Sequence, residues 1–185
     1  DSCAVVDSGT VLCWDDDTLG QASPPAGLLF QLVVSGRFYS CGLLRSNGSV
    51  VCWGSYIPSL PADSHFTGLT LTVDPICGLL ANSSAVCTGA NMTVPANLTF
   101  QQVCAGAAFA CGVLLNHTVV CWGDIDRQLV APSDELFASV SCGWYHACGL
   151  RTNNTIRCWS SQNSSHPYVS GPNSNPQLVF ARVVT

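Results

Sequence analysis

Short apolar runs, closed by a glycine or a polar turn, recur along the whole chain. Residues 100–106 and 137–143 each begin at a phenylalanine, mix apolar and polar side chains over a few positions and stop at a glycine, and 30–36 is a third copy. That length and pattern describe a short strand. A few residues later a second run starts, as in Cys111-Gly112-Val113-Leu114-Leu115. A polar turn follows, then a third run, Thr118-Val119-Val120-Cys121-Trp122. No stretch sustains a helical period, so the predicted class is all-β.

The runs are in register with a fivefold module. A cysteine, usually followed by glycine and aliphatics, leads through a polar turn to a second cysteine that usually precedes Trp-Gly. The copies are Cys3 to Cys13 with Trp14, Cys41 to Cys52 with Trp53, Cys77 to Cys87, Cys111 to Cys121 with Trp122, and Cys148 to Cys158 with Trp159. A fixed period marks an array of one supersecondary unit, here a single five-repeat domain over residues 1–185. Phe30, Phe66, Phe100 and Phe137 lie at one fixed distance before the first cysteine of their modules, and the remaining such phenylalanine is Phe180. The strand 180–184 is therefore expected to complete the unit begun by Asp1 and close the array like a belt. The four Cys-Trp tryptophans are expected in the repeat core.

Cysteine usage points to an oxidising compartment. Twelve cysteines are an even number, and ten fall into the five hairpin pairs. Their spacing does not match zinc knuckles. Asn-x-Ser/Thr, the acceptor for N-linked glycans, occurs at Asn47, Asn82, Asn91, Asn97, Asn116, Asn153 and Asn163, far more often than ten asparagines would give by chance. Asn47, Asn82, Asn116 and Asn153 occupy one equivalent turn, where the first module has Asp7-Ser8-Gly9-Thr10. Plain turn chemistry is the competing explanation for any one of them. The chain has no lysine and a net charge of -5, which argues against nucleic acid and anionic membranes. No apolar run is long enough to span a bilayer, so no membrane insertion is expected. The chain also opens without a signal peptide's n- and h-regions, so a secreted form is expected to have lost it already.

The segment Gly36-Arg37-Phe38-Tyr39-Ser40-Cys41-Gly42-Leu43-Leu44 with Val50-Val51-Cys52-Trp53-Gly54 resembles the repeat of CRINKLY-type plant receptor-like kinase ectodomains. These in turn are similar to the propellers of the regulator of chromosome condensation family. Residues 143–150 with Arg157-Cys158-Trp159, and 106–111 with Cys121-Trp122-Gly123, carry the same pattern. The resemblance extends over essentially the whole chain and implies a disulfide-stapled β-propeller of about five blades, plant and apoplastic in setting. Related propellers typically have seven. The third module departs from the pattern, with Thr72 for the glycine and Cys87-Thr88-Gly89 for Cys-Trp-Gly. Cys104 and Cys142 fall on the first strands of successive repeats, where a bridge between neighbouring blades, free thiols or an intermolecular link are the alternatives.

No catalytic constellation emerges. His65, His117, His146 and His166 are scattered, and a Cys-His nucleophile needs a spare thiol. Three consecutive acids, Asp15-Asp16-Asp17, lack a calcium-loop pattern, so no metal or cofactor is expected. Contact is better sought on the loops between each glycine and the following cysteine, at Arg37, Phe38, Tyr39, Trp144, Tyr145 and His146, whose residue types suit protein hot spots or sugar stacking. The expected function is a secreted, glycosylated, non-catalytic module recognising a protein, peptide or glycan. The alternative is a structural glycoprotein that self-associates head to tail by exchanging its C-terminal strand.

Overall fold

The computed structural model describes residues 1–57, 59–61, 64–72, 75–89, 91–123 and 129–160. The expected strand 180–184, Asn163 and His166 lie outside them. Among the described residues there are fourteen strands and no helix. The hairpin of β1 (Ser2–Val5) and β2 (Val11–Trp14) comes first. Three-stranded antiparallel sheets follow, each with its second strand in the middle. They comprise β3 (Phe30–Ser35), β4 (Tyr39–Leu44) and β5 (Val50–Gly54), then β6 (Phe66–Leu71), β7 (Ile76–Leu80) and β8 (Ala85–Cys87). The last two are β9 (Phe100–Ala105), β10 (Phe109–Leu114) and β11 (Val119–Gly123), then β12 (Phe137–Cys142), β13 (His146–Arg151) and β14 (Ile156–Ser160). These are blades 1 to 5, packed in chain order with β3, β6, β9 and β12 side by side.

Each joint between blades rests on a missing Cβ. A methyl group on Gly42, Gly78, Gly112 or Gly149 would stand 2.3 Å from Cδ1 of Phe30, Phe66, Phe100 or Phe137 respectively. The glycine is therefore a notch into which the first-strand phenylalanine lays its ring. A one-residue bulge after each phenylalanine, at Gln31, Thr67, Gln101 and Ala138, turns the ring inward and leaves the bulged residue exposed. In blades 2, 4 and 5 the Cys-Trp tryptophan closes over the ring, at centroid distances of 5.7, 5.4 and 5.5 Å. Burying each such phenylalanine contributes about 1.5–3 kcal/mol.

The other half of the joint is the preceding blade's disulfide. Phe30 and Trp53 pack with Cys3 and Cys13, Phe100 and Trp122 with Cys77 and Cys87, and Phe137 and Trp159 with Cys111 and Cys121. A backbone bond locks the register. Phe30, Phe66, Phe100 and Phe137 donate their amides to the carbonyls of Gly9, Gly48, Ser83 and His117 in the previous blade's turn, at 2.7–2.8 Å.

The five hairpin disulfides join directly opposed cysteines with Cα atoms 4.0–4.1 Å apart. A sixth, Cys104–Cys142, crosses from β9 to β12, so no cysteine is free. Two residues before it in each strand, the Gln102 side chain accepts from the Val140 amide and donates to the Val140 carbonyl, both at 3.0 Å. Blades 4 and 5 are thus both covalently and polar-bonded along their inner strands. In blade 3 no tryptophan stands after Cys87, and Thr88 Oγ1 instead accepts from the Ile76 amide. Thr72, in place of the repeat glycine, donates its hydroxyl to the Gly106 carbonyl of blade 4 at 2.8 Å.

One expected core residue is not in the core. Trp14 is 52% exposed, whereas Trp53, Trp122 and Trp159 are each 6% exposed. Blade 1 has only two strands among the described residues, and none of the described phenylalanines lies against its tryptophan.

Gly112→Ala is expected to lower stability by about 1–3 kcal/mol through overpacking against Phe100. Gly68→Ala, whose new Cβ meets nothing nearer than 4.0 Å, should leave stability unchanged or raise it slightly. Urea unfolding curves of the two variants test the notch, and equal losses would count against it. Replacing Cys104 and Cys142 together by alanine releases a loop of 38 residues and is expected to cost about 4 kcal/mol, read as a lowered denaturation midpoint.

Candidate functional site

Each blade has two chemically different ends. The middle strands run from a loop end, where the first strand hands over to the second, to a turn end, where the two cysteine strands meet. A six-residue strand separates them by roughly 20 Å. Contacts between neighbours keep like ends together. The turn-end bonds to the phenylalanine amides are one set, and the Ala107 amide donates to the Trp144 carbonyl at 3.1 Å across the loop ends of blades 4 and 5.

At the turn end, Asn47, Asn82, Asn116 and Asn153 are exposed. Each Oδ1 accepts the amide of the residue two positions on, at 3.0–3.1 Å. In three turns it also accepts the hydroxyl of Ser84, Thr118 or Thr155, at 2.6–2.7 Å. The residue between is left-handed, with φ of 70° at Gly48, 66° at Ser83, 69° at His117 and 65° at Asn154. This is Asx-turn geometry, which uses the side-chain oxygen and leaves the amide nitrogen for solvent. Asn91 and Asn97 are also exposed and left-handed.

The loop end gathers the aromatic residues, but not all those expected from the sequence. Arg37 is exposed and lies over the Phe38 ring, 5.1 Å from its centroid. Tyr56 meets Phe38 edge-on at 5.7 Å and is 82% exposed. Tyr56 carries no repeat signal, since it sits in the connection after β5, and only its left-handed φ of 60° sets it apart. In blade 5, Trp144 is 46% exposed and touches half-buried Tyr145 edge-on. Tyr39 is a correction: it is 1% exposed, in one core cluster with Cys41 and Ile76. His146 packs in a similar way. A Cβ on Gly143 would stand 2.4 Å from its ring, as one on Gly106 would stand 2.1 Å from the ring of Phe109. Burial pushes the His146 pKa below its ordinary 6.5.

Other chemistry-bearing residues are committed to structure. His65 Nδ1 lies 2.6 Å from the Asn47 carbonyl, and His117 Nδ1 lies 3.1 Å from the Phe137 carbonyl. Asp16 accepts from the Thr18 amide and Gln21, and Asp17 from the Ala22 amide and the Ser23 hydroxyl. Those bonds hold Gln21, whose carbonyl takes the Trp53 indole N–H at 2.9 Å, and the Thr18 bonds hold the Asp16 carboxyl below its usual range. Arg151 grips Glu135 through Nε and Nη2 at 2.8 and 2.9 Å. Among the described residues no group of three His, Cys, Asp or Glu side chains could hold a metal ion, and no helix is long and apolar enough to cross a membrane.

The family profile "Regulator of chromosome condensation (RCC1) repeat" matches residues 137–166. Two plant ectodomains superpose on the chain with similar blade geometry. That of the Physcomitrella patens receptor kinase CR4 does so with a TM-score of 0.76 and 28% identity, over 85% of this chain and 48% of that one. The CRINKLY WD40 ectodomain of the Arabidopsis thaliana receptor kinase ACR4 gives 0.73 and 26%, over 85% and 61%. The fold is that of the RCC1-like propellers. Prp20p from Saccharomyces cerevisiae, at 14% identity and a TM-score of 0.69, shares this architecture alone. The chain spans about half to three-fifths of the length of the two ectodomains. Six disulfides on an ectodomain-like propeller suggest an extracellular location.

The RCC1-like joint gives a pH signature at His146. With its folded pKa depressed, the neutral ring carries no penalty above 6.5, and stability falls as pH drops through 6.5 toward the lower folded value. Between about pH 7.5 and about pH 5.5 the urea midpoint of the wild type is expected to fall further than that of His146→Phe, which copies Phe109. Parallel curves for the two proteins would refute the packing role.

Proposed function

We propose that this chain is a secreted, glycosylated, non-catalytic recognition module that binds a protein, peptide or glycan with the loop ends of its blades. The supporting observation is the segregation of the two ends. The four repeat sequons all stand at the turn end, while exposed Tyr56 and Trp144 and half-buried Phe38 stand at the loop end with Arg37. Glycans on Asn47, Asn82, Asn116 and Asn153 would sheathe the turn-end rim, while Asn91, two residues past Gly89 as Tyr56 is past Gly54, brings one acceptor to the loop end of blade 3. Asn97 and Asn163 add further acceptors. Aromatic faces with a neighbouring guanidinium suit sugar rings and peptide hot spots alike.

The likeness to receptor-kinase ectodomains supports an extracellular, apoplastic setting. On this reading residues 1–185 act as one unit, without cofactor or metal. The committed histidines and the absence of a free thiol favour binding over catalysis.

Intact mass before and after glycosidase treatment of protein from a secretory host should show several N-glycans, and an unmodified mass would end the secretory reading. Phe38→Asn creates an Asn-Tyr-Ser acceptor at the loop end with one substitution. On glycan and peptide arrays this variant should lose binding about tenfold or more, whereas Asn82→Gln, at the turn end, should keep it within about twofold. The reverse ranking would place the ligand on the other end.

A further inference from the structure

We propose that the hollow beside Asn153, at the turn end of blade 5, seats the first N-acetylglucosamine of a glycan carried by Asn153 itself, an assignment that rests on the glycosylated reading of the chain. The hollow is shallow, about 390 Å³, and is walled by Asp134, Glu135, Leu136, Arg151, Thr152 and Asn153. The acceptor residue is part of the wall, so a sugar attached to it starts at the hollow. Blade 2 has a hollow in the same place, but its wall ends at Ser46 and does not include Asn47.

The wall has an apolar side and a polar side, as a hexosamine does. Leu136 is 50% exposed, and its carbonyl takes the Thr152 amide at 3.0 Å, which fixes it next to the acceptor. A β-linked N-acetylglucosamine carries axial C–H groups on one face of its ring, and that face matches the leucine. The polar side is the ion pair of Arg151 and Glu135, whose side chains are 25% and 23% exposed. Arg151 also donates through Nη1 to Thr155 Oγ1 at 3.0 Å, and that hydroxyl donates to Asn153 Oδ1 at 2.6 Å. One relay of bonds therefore runs from Glu135 to the acceptor side chain and holds its direction. These bonds use three of the five N–H groups of the guanidinium and leave lone pairs on the carboxylate. The pair thus has donors and acceptors to offer the hydroxyls and the N-acetyl group of a sugar.

The fold does not ask for this pair. Arg151 lies across the sheet from Phe137, at the position where Leu44, Leu80 and Leu114 lie across from Phe30, Phe66 and Phe100. Leucine is the residue the repeat uses there. Blade 5 alone among blades 2 to 5 departs from it, and the departing side chain is the one that reaches the sequon threonine.

The test uses the full 185-residue chain in two forms. One comes from a glycosylating host and is trimmed by endoglycosidase to a single N-acetylglucosamine per occupied site, and the other is the unmodified chain from a bacterial periplasm. Peptide mapping reads occupancy at Asn153. Nuclear Overhauser contacts between the Asn153 sugar protons and the Leu136 methyls are expected in the unsubstituted glycoprotein. Leu136→Ser should lower the urea midpoint of the glycoprotein more than that of the unmodified chain. Arg151→Leu, which restores the repeat residue, should keep or raise the midpoint of the unmodified chain and lower that of the glycoprotein. An occupied Asn153 whose sugar makes no contact with Leu136, or equal midpoint shifts in the two forms, overturns the seat and leaves the glycosylated reading intact. So does an unoccupied Asn153 when other sequons are occupied. Absence of glycan at every sequon overturns both together. The contacts are read on the unsubstituted protein, so a variant that fails to fold does not remove the test.

Discussion

Everything in this fold depends on an aromatic ring lying where a side chain has been removed. Successive residues of a strand point to opposite faces, so Cys and Gly side by side on a middle strand send a disulfide to one face and a notch to the other. The dipeptides Cys41-Gly42, Cys77-Gly78, Cys111-Gly112 and Cys148-Gly149 thereby carry both halves of a joint. The notch receives its own blade's phenylalanine, and the staples of blades 1, 3 and 4 pack against the ring of the next blade. Because the two halves differ, the stack has a direction. Stability of such an array is largely the sum of nearest-neighbour interfaces, so each joint contributes on its own.

The period was readable because its parts are local. Phenylalanine, glycine and cysteine recur at constant spacing, and two cysteines on adjacent strands at matched distances from a tight turn have to face each other. Residues whose state depends on a distant partner were not readable. Trp14 follows a hairpin cysteine as Trp53 does, with Asp15 where Trp53 is followed by Gly54, yet its burial requires a phenylalanine that no nearby residue supplies. Tyr39 follows a glycine at the spacing of Phe109 and His146, a pattern compatible with a presented loop aromatic as well as a packed one. Only the three-dimensional surroundings separate the two. Gln102 could not be recognised as a clamp because its partner, Val140, lies in the next blade. Tyr56 gave no signal because it belongs to a connection present once.

The turn end combines two demands on the same few atoms. A tight hairpin needs a left-handed residue, and the joint needs that residue's carbonyl aimed at the next phenylalanine amide. Asn, Ser or Thr one position earlier can hold this shape through its side-chain oxygen. Ser8 does so in blade 1, where its hydroxyl lies 2.9 Å from that of Thr10 and Gly9 sits at φ 93°. Blade 1 makes the same bond to its neighbour as the other blades, with Gly9 receiving Phe30 at 2.7 Å.

That comparison bears on why the other four turns carry a complete Asn-x-Ser/Thr. The joint does not require asparagine, since Ser8 suffices, and it does not require a particular middle residue, since Gly, Ser, His and Asn all serve. What the four share beyond the needs of the joint is an amide nitrogen left to solvent, with Oδ1 turned back onto the backbone. A chain with only 9% charged residues has few charges with which to hydrate its surface. Hydrophilic glycans at these nitrogens would supply that hydration at the rim where the blades are already locked together, without touching the notch, the staple or the aromatic loops. The sequon is thus compatible with the joint because the two use opposite atoms of one side chain.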